Sequence, residues 1–178
     1  MKSFWWDLHK RAFWFDLICF FLEFFPGESG TLIRGYLIGC FFSSVGENPR
    51  INRSSYIYFP ERVSVGDNLI MNVSCVIQAA AGLQIGHNVS IGPGVKLWTI
   101  NHNFMDRSQL ISQQGWSPSK KIVIGNDVWI AANVLILPNV NIPDGCVIGA
   151  GVILDKHVDL IPYGVYVGNP PRLIKQRV

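Results

Sequence analysis

Large apolar residues return at every sixth position along most of this 178-residue chain, a period that few folds can accommodate. They stand at Ile51 and Ile57, at Val65, Met71 and Ile77, and at Ile85, Ile91 and Leu97. After a gap they resume at Ile124 and run through Ile130, Ile136, Ile142, Ile148, Leu154 and Leu160 to Tyr166. With 49% of the chain hydrophobic, sixteen hits in sixteen places arise by chance about once in 10⁵ frames. A second apolar column runs two residues earlier, through Val63, Leu69, Cys75, Val140, Cys146 and Val152 among others. Residues two apart on an extended segment point to the same side, so each hexapeptide buries two side chains before it turns. Three such strands close a triangular coil, and stacked coils pair in parallel at about 4.8 Å. The expectation is a mainly β chain forming a parallel β-helix, a prism of about six coils roughly 25–30 Å tall. The strands of a β-sandwich are spaced less regularly, and the strict sixes argue against that fold.

The breaks in the period locate function. They fall between Ile57 and Val65, between Ile77 and Ile85, and between Leu97 and Ile124, which is every third step and therefore one vertex of the triangle. Two are widenings by two residues. The third is an excursion over residues 98–121 that carries Asn101-His102-Asn103-Phe104, and a loop of that length in a compact domain is commonly functional. The chain divides into an apolar helical segment (1–45), the β-helix (46–170) and a basic C-terminal tail (171–178). In the first segment, His9, Asp16 and Glu23 form a polar stripe on a helix whose other faces carry Phe13, Leu17, Phe20, Phe21 and Phe24. A second helix, with Gly30, Gly35 and Gly39 as a small-residue face, follows Pro26-Gly27, and both helices are expected to cap the prism.

Composition narrows the classes. A net charge of +3 without a dense Lys/Arg stripe excludes the electrostatic footprint of a nucleic-acid binder. Four cysteines without a CxxC pair fit a reducing cytoplasm, and the aromatic N-terminus, interrupted by charges, reads as a helix lying on an apolar surface rather than a membrane span.

Four segments in order, Asn101-His102-Asn103-Phe104, Ile124-Gly-Asn-Asp-Val-Trp-Ile130, Val147-Ile-Gly-Ala-Gly151 and Val167-Gly-Asn-Pro-Pro-Arg172, give the chain its likeness to a known family. Over residues 45–175 it resembles the hexapeptide-repeat acyltransferases, in their maltose/galactoside and polysaccharide O-acetyltransferase branch. The resemblance implies a left-handed β-helix, a homotrimer, and acetyl-CoA bound between neighbouring prisms with no metal. It implies His102 as the catalytic residue and Asn72 as a residue that positions the acceptor. It places Ala132, through a main-chain N–H, near the thioester carbonyl with Trp129 beside it, and Ala150, Lys156, Arg172 and Lys175 on coenzyme A. Many sugar acetyltransferases carry an Asp shortly before the widened turn, where this chain reads Gln78-Ala79-Ala80-Ala81. The resemblance implies a carbohydrate hydroxyl as acceptor, and the apolar N-terminus points to a sugar or lipid-linked saccharide of cell-surface polysaccharide biosynthesis handled at the inner face of a membrane.

The residues suit that chemistry. A thioester needs only a base for the incoming hydroxyl and a donor for the developing oxyanion, and an imidazole titrates in the required range. His87, His157 and His9 sit at turn or helix positions and read as structural, and Cys75 and Cys146 point inward, which disfavours an acyl-cysteine route. Asn72 follows an inward residue and Trp129 precedes one, so both are expected to face outward, although a turn-stabilising role for Asn72 is nearly as well supported. Two other functions fit the repeat: a silent β-helix scaffold, and a γ-type carbonic anhydrase, whose pattern needs histidines five apart that are absent here.

Overall fold

The computed structural model describes residues 11–118 and 120–178. Parallel strands of two or three residues form three flat faces of a triangular prism. The first face runs from Ser44–Val45 to Asn141–Ile142, the second from Arg50–Ile51 up to Gly164–Val167, and the third from Tyr56–Tyr58 to Ile153–Leu154. Successive coils stack in register: Ile124 lies under Ile142, Ile130 under Ile148 and Ile136 under Leu154, eighteen residues apart. In the first half the interval is twenty, as for Val65 with Ile85 and Met71 with Ile91, because each coil contains a two-residue widening. All three breaks in the period fall where the third face passes to the first.

The apolar columns are the core. Ile51, Ile91, Leu97, Ile122, Ile130 and Ile142 have essentially no exposed surface. At about 1.5–3 kcal/mol for each large side chain fully buried, this stack is the main source of stability. Leu160 is only half-buried and lies outside any strand, so the column ends there as packing without a ladder. The register also begins one step earlier than Ile51, at Val45, which pairs with Val65. Corner chemistry explains the polar residues between the strands. One column of corners holds Asn48, Asn68, Asn88 and Asp127 at φ between 53 and 58°, a region that asparagine and aspartate tolerate. The side-chain amides of Asn48 and Asn68 donate to the next asparagine up, at 3.2 and 2.9 Å. His87 joins this ladder through Asp67, 3.0 Å away, and the backbone N–H of His157 donates to Asp155 in a turn.

Among the described residues two helices close one end, α1 (Arg11–Leu22) and α2 (Gly27–Gly39). Phe15, Leu22 and Ile38 turn inward onto the bottom coil. Gly35 lets α2 lie against the chain there, since a Cβ would stand 1.8 Å from the Pro49 carbonyl oxygen. Arg34 is buried beneath the helices, donating to the carbonyls of Ile51 (2.8 Å), Leu22 (3.1 Å) and Phe25 (2.7 Å). The acids of the expected polar stripe face the prism: Glu23 accepts the Ser54 N–H at 2.8 Å and Asp16 accepts the Tyr56 hydroxyl at 3.5 Å. His9 lies outside the described residues. Trp14, Phe20, Phe21 and Phe24 are left exposed.

Burial pushes the thiols of Cys19 and Cys75 up to about 11, and raises that of Cys146 as well. The folded state therefore keeps these protons after the unfolded chain, with thiols near 9, has lost them. Their contribution to stability is complete below pH 9 and is lost as pH rises through about 11. Urea midpoints measured across this window are expected to fall with pH, and Cys75→Ala is expected to lessen the slope.

Candidate active site

The excursion leaves the prism after the strand Lys96–Trp98 and is tied down at its root. Thr99 is fully buried, its hydroxyl donating to Gln78 Oε1 (3.1 Å) and accepting the Ala81 N–H (2.9 Å). Beyond it the chain doubles back as a narrow neck. The Asn103 N–H donates to the Gly115 carbonyl (3.0 Å) and the Ser117 N–H to the Asn101 carbonyl (2.8 Å), with His102 opposite Trp116. Asn103 fixes the neck further, its amide donating to the carbonyls of Gln114 (3.0 Å) and Trp116 (3.1 Å). The exposed imidazole of His102 stacks on the Trp116 indole, centroids 4.1 Å apart and planes 30° from parallel. Among the described residues neither ring nitrogen has a hydrogen-bond partner, so both are open to a ligand or a neighbouring chain.

A second group of site residues lines the edge where the second face passes to the third. The Asn72 side chain and backbone N–H both donate to the Ile91 carbonyl, at 3.2 and 2.9 Å. Its amide nitrogen thus stabilises the corner, while Oδ1 accepts no described donor. Two coils above lies Ala132. The N–H groups of Ala131 and Asn133 bond to Ile148 (2.8 Å) and Pro93 (2.9 Å), whereas that of Ala132 has no acceptor among the described residues. Pro93, which has no N–H, occupies the same corner one coil below and confirms that this position makes no ladder bond. Ala150 is exposed one coil above, and Gly151 there donates to the Ala132 carbonyl (2.9 Å). Trp129 projects outward from the second face beside this edge, 55% exposed, with Ser90 and Val147 as its ladder neighbours.

Arg172 and Lys175 lie on a strand, Arg172–Gln176, that pairs antiparallel with Gly164–Val167 and continues the second face. Both are exposed. Arg177, a member of the basic C-terminal tail, lashes this strand to the prism through the Asp127 carboxylate (3.0 Å) and the Gly145 carbonyl (2.8 Å). Lys156 is exposed at a corner between the third and first faces, the edge that also carries the excursion. Within one chain, then, Asn72, Ala132 and Ala150 share an edge with Trp129 beside it. His102 and Lys156 belong to a different edge. Trp116 also escaped the sequence reading, and no spacing rule links a tryptophan to a histidine fourteen residues before it.

A cleft of about 470 Å³ opens beside the neck, walled by Tyr58, Phe59, Gln78, Trp98, Ile100 and Trp116. Gln78, which opens the stretch Gln78-Ala79-Ala80-Ala81 before the widened turn, is buried, and its side-chain carbonyl oxygen accepts the Thr99 hydroxyl. Among the described residues no cluster of His, Cys, Asp or Glu could hold a metal ion.

The family description "Bacterial transferase hexapeptide (six repeats)" matches residues 121–156. Over 143 residues the chain is 36% identical to the galactoside O-acetyltransferase of Escherichia coli (strain K12), an alignment covering 80% of this chain and 68% of that protein. The fold superimposes on a solved galactoside acetyltransferase in complex with coenzyme A with a TM-score of 0.78 and 32% identity, over 91% of this chain and 78% of the other. A maltose O-acetyltransferase from Clostridium difficile 630 gives a TM-score of 0.75 at 28% identity, over 96% and 87% of the two chains. With its six-residue coils and this degree of identity, the chain belongs to the hexapeptide-repeat acetyltransferases, on the galactoside O-acetyltransferase branch.

Proposed function

We propose that the protein transfers an acetyl group from acetyl-CoA to a carbohydrate hydroxyl in cell-surface polysaccharide biosynthesis, with His102 as general base. Its family makes it an acyltransferase that uses acetyl-CoA. The observation that carries the finer reading is a histidine held outside the packed prism on a braced neck, with both ring nitrogens open. His102 takes the hydroxyl proton as the acceptor oxygen attacks the thioester carbonyl, then returns it to the departing sulfur. One C–O bond forms, one C–S bond breaks, and no proton is gained or lost overall. The open N–H of Ala132 suits the oxygen that becomes negative, and Asn72 Oδ1 suits an acceptor hydroxyl. Arg172 and Lys175 meet the coenzyme A phosphates with charge-assisted hydrogen bonds, while Lys156, Ala150 and Trp129 border its path. Thiol release from acetyl-CoA that depends on an added saccharide tests this reading, and release indifferent to every saccharide defeats it.

Because His102 and Asn72 lie on different edges of one prism, the complete site forms between neighbouring copies in a homotrimer. A stable, active monomer in sedimentation would contradict this. Trp116 is a positioning residue for the imidazole. Trp116→Ala is expected to lower kcat by about 10- to 100-fold, the scale of a small misplacement of a reacting group. KM for acetyl-CoA should stay unchanged, and Trp116→Phe should restore most of the rate.

The exposed Trp14, Phe20 and Phe21 of α1 and Phe24 of the turn after it make an apolar outer surface suited to peripheral contact with the inner face of a membrane. Neither described helix is long and apolar enough to cross one. Co-sedimentation with lipid vesicles is expected for the native chain and is lost on replacing Phe20, Phe21 and Phe24 by Ser. Equal partition of the two proteins would remove the membrane from the account.

A further inference from the structure

Next to the cleft beside His102 lies a larger one of about 610 Å³, between α1 and the bottom of the third face. Its walls are Phe15, Phe41, Tyr56, Ile57, Tyr58 and Phe59, and among the described residues the acids lining it are Asp16 and Glu61. Tyr58 and Phe59 line both clefts, so one aromatic wall runs from α1 to Trp116 and hence to His102. The tyrosines are exposed by nearly half although their rings pack on each other, centroids 4.6 Å apart.

The backbone at Phe59 is a second, independent observation. Elsewhere in the lower coils, the residues with positive φ are Gly82 and Gly94 and the small polar Asn48, Ser54, Asn68, Ser74 and Asn88, all suited to that region. At this corner it is Phe59, at φ 60° and ψ 52°, an outlying conformation for a bulky residue. Arg62 holds it there, with its guanidinium 5.2 Å over the ring and a hydrogen bond to the Ala80 carbonyl. Such conformations persist where the surroundings over-determine them, often at ligand sites. This one sets an aromatic ring at the junction of the two clefts.

We propose that the groove binds a hydrocarbon chain attached to the acceptor saccharide, making the acceptor an amphiphile whose sugar reaches His102 while its chain lies between α1 and Tyr56. The inference rests on the O-acetyltransferase reading and names its acceptor class. A free sugar would leave the aromatic wall beyond Phe59 uncovered. The wall ends at α1, which also carries the exposed Phe20 and Phe21, with the exposed Phe24 in the turn after it, so a long chain can pass from the groove toward a lipid surface.

The test compares a free hexose that the enzyme acetylates with its 1-alkyl glycosides of increasing length, each below its micelle concentration. Each fully buried methylene strengthens binding by about fourfold. KM is therefore expected to fall at least about tenfold from the methyl to the octyl glycoside, with kcat little changed. Tyr56→Ser, an exposed position away from the reacting atoms, should flatten this series and keep wild-type turnover of the free hexose. A flat wild-type series with good turnover of the hexose overturns the hydrocarbon inference alone. So does a series that Tyr56→Ser leaves intact, or loss of the native assembly in that variant, which would assign the groove to a neighbouring copy. No turnover of any saccharide, with or without a chain, sinks the O-acetyltransferase reading itself.

Discussion

His102→Ala is expected to lower acetyl transfer by about 10²- to 10⁴-fold, the range for loss of a general base. The protein should remain folded, because the side chain is exposed and the neck is closed by main-chain bonds at Asn103 and Ser117 that an alanine at 102 leaves in place. Affinity for acetyl-CoA should change little, since its phosphates are assigned to Arg172 and Lys175 on the far strand of the second face. Arg172→Ala gives the opposite signature, a raised KM for acetyl-CoA and a smaller loss at saturation. Steady-state kinetics with both substrates varied separates the two patterns. Near-normal turnover of the folded, assembled His102→Ala protein would remove the base from the mechanism.

Arg34→Ala is expected to cost about 3–5 kcal/mol of stability, read as a lowered denaturation midpoint. Arg34 is 2% exposed, and its three carbonyl partners belong to α1, to the turn after it and to the first coil of the second face. Removing the guanidinium leaves three acceptors with their partner gone, and it unties the helical cap from the prism. Burial lowers the pKa of this arginine, an effect that Glu23 opposes. Arg34→Lys should recover only part of the loss, because a single ammonium cannot reach carbonyls on three separate segments with the geometry of a planar fork. The cost should appear in stability without a matching fall in kcat of the folded protein, since Arg34 bonds only to main-chain carbonyls and to none of the proposed reacting groups.

The six-residue period made the prism legible because a coil has one geometric solution once two side chains per strand are buried. Ile51 to Leu154 fall where the spacing puts them, and all three breaks fall on one edge. What the period does not encode was not legible. Nothing in Arg172–Gln176 alternates strongly enough to mark a strand, and its pairing depends on a neighbour already in the fold and on Arg177 reaching Asp127. The role of Arg34 has no signal in the local sequence, since the three carbonyls that explain it lie 9 to 17 residues away. The candidate site residues could be named from the sequence, but not their geometry. His102 stands out by its place in the excursion, yet Trp116 beneath it answers to no spacing rule. Asn72 faced two readings from its sequence, and the structure gives its amide nitrogen to the corner and leaves its oxygen open.

The most direct test of the account is the chemical class of the product formed from acetyl-CoA and a saccharide acceptor, followed together with thiol release. Ester and amide linkages are distinguished by alkaline hydroxylamine, which removes an acetyl group from oxygen and spares one on nitrogen. The account predicts thiol release that requires the acceptor, matched by a saccharide whose new acetyl group is lost to hydroxylamine, both strongly diminished in His102→Ala. An acetyl group that resists hydroxylamine, or thiol release that proceeds equally without acceptor, would contradict it.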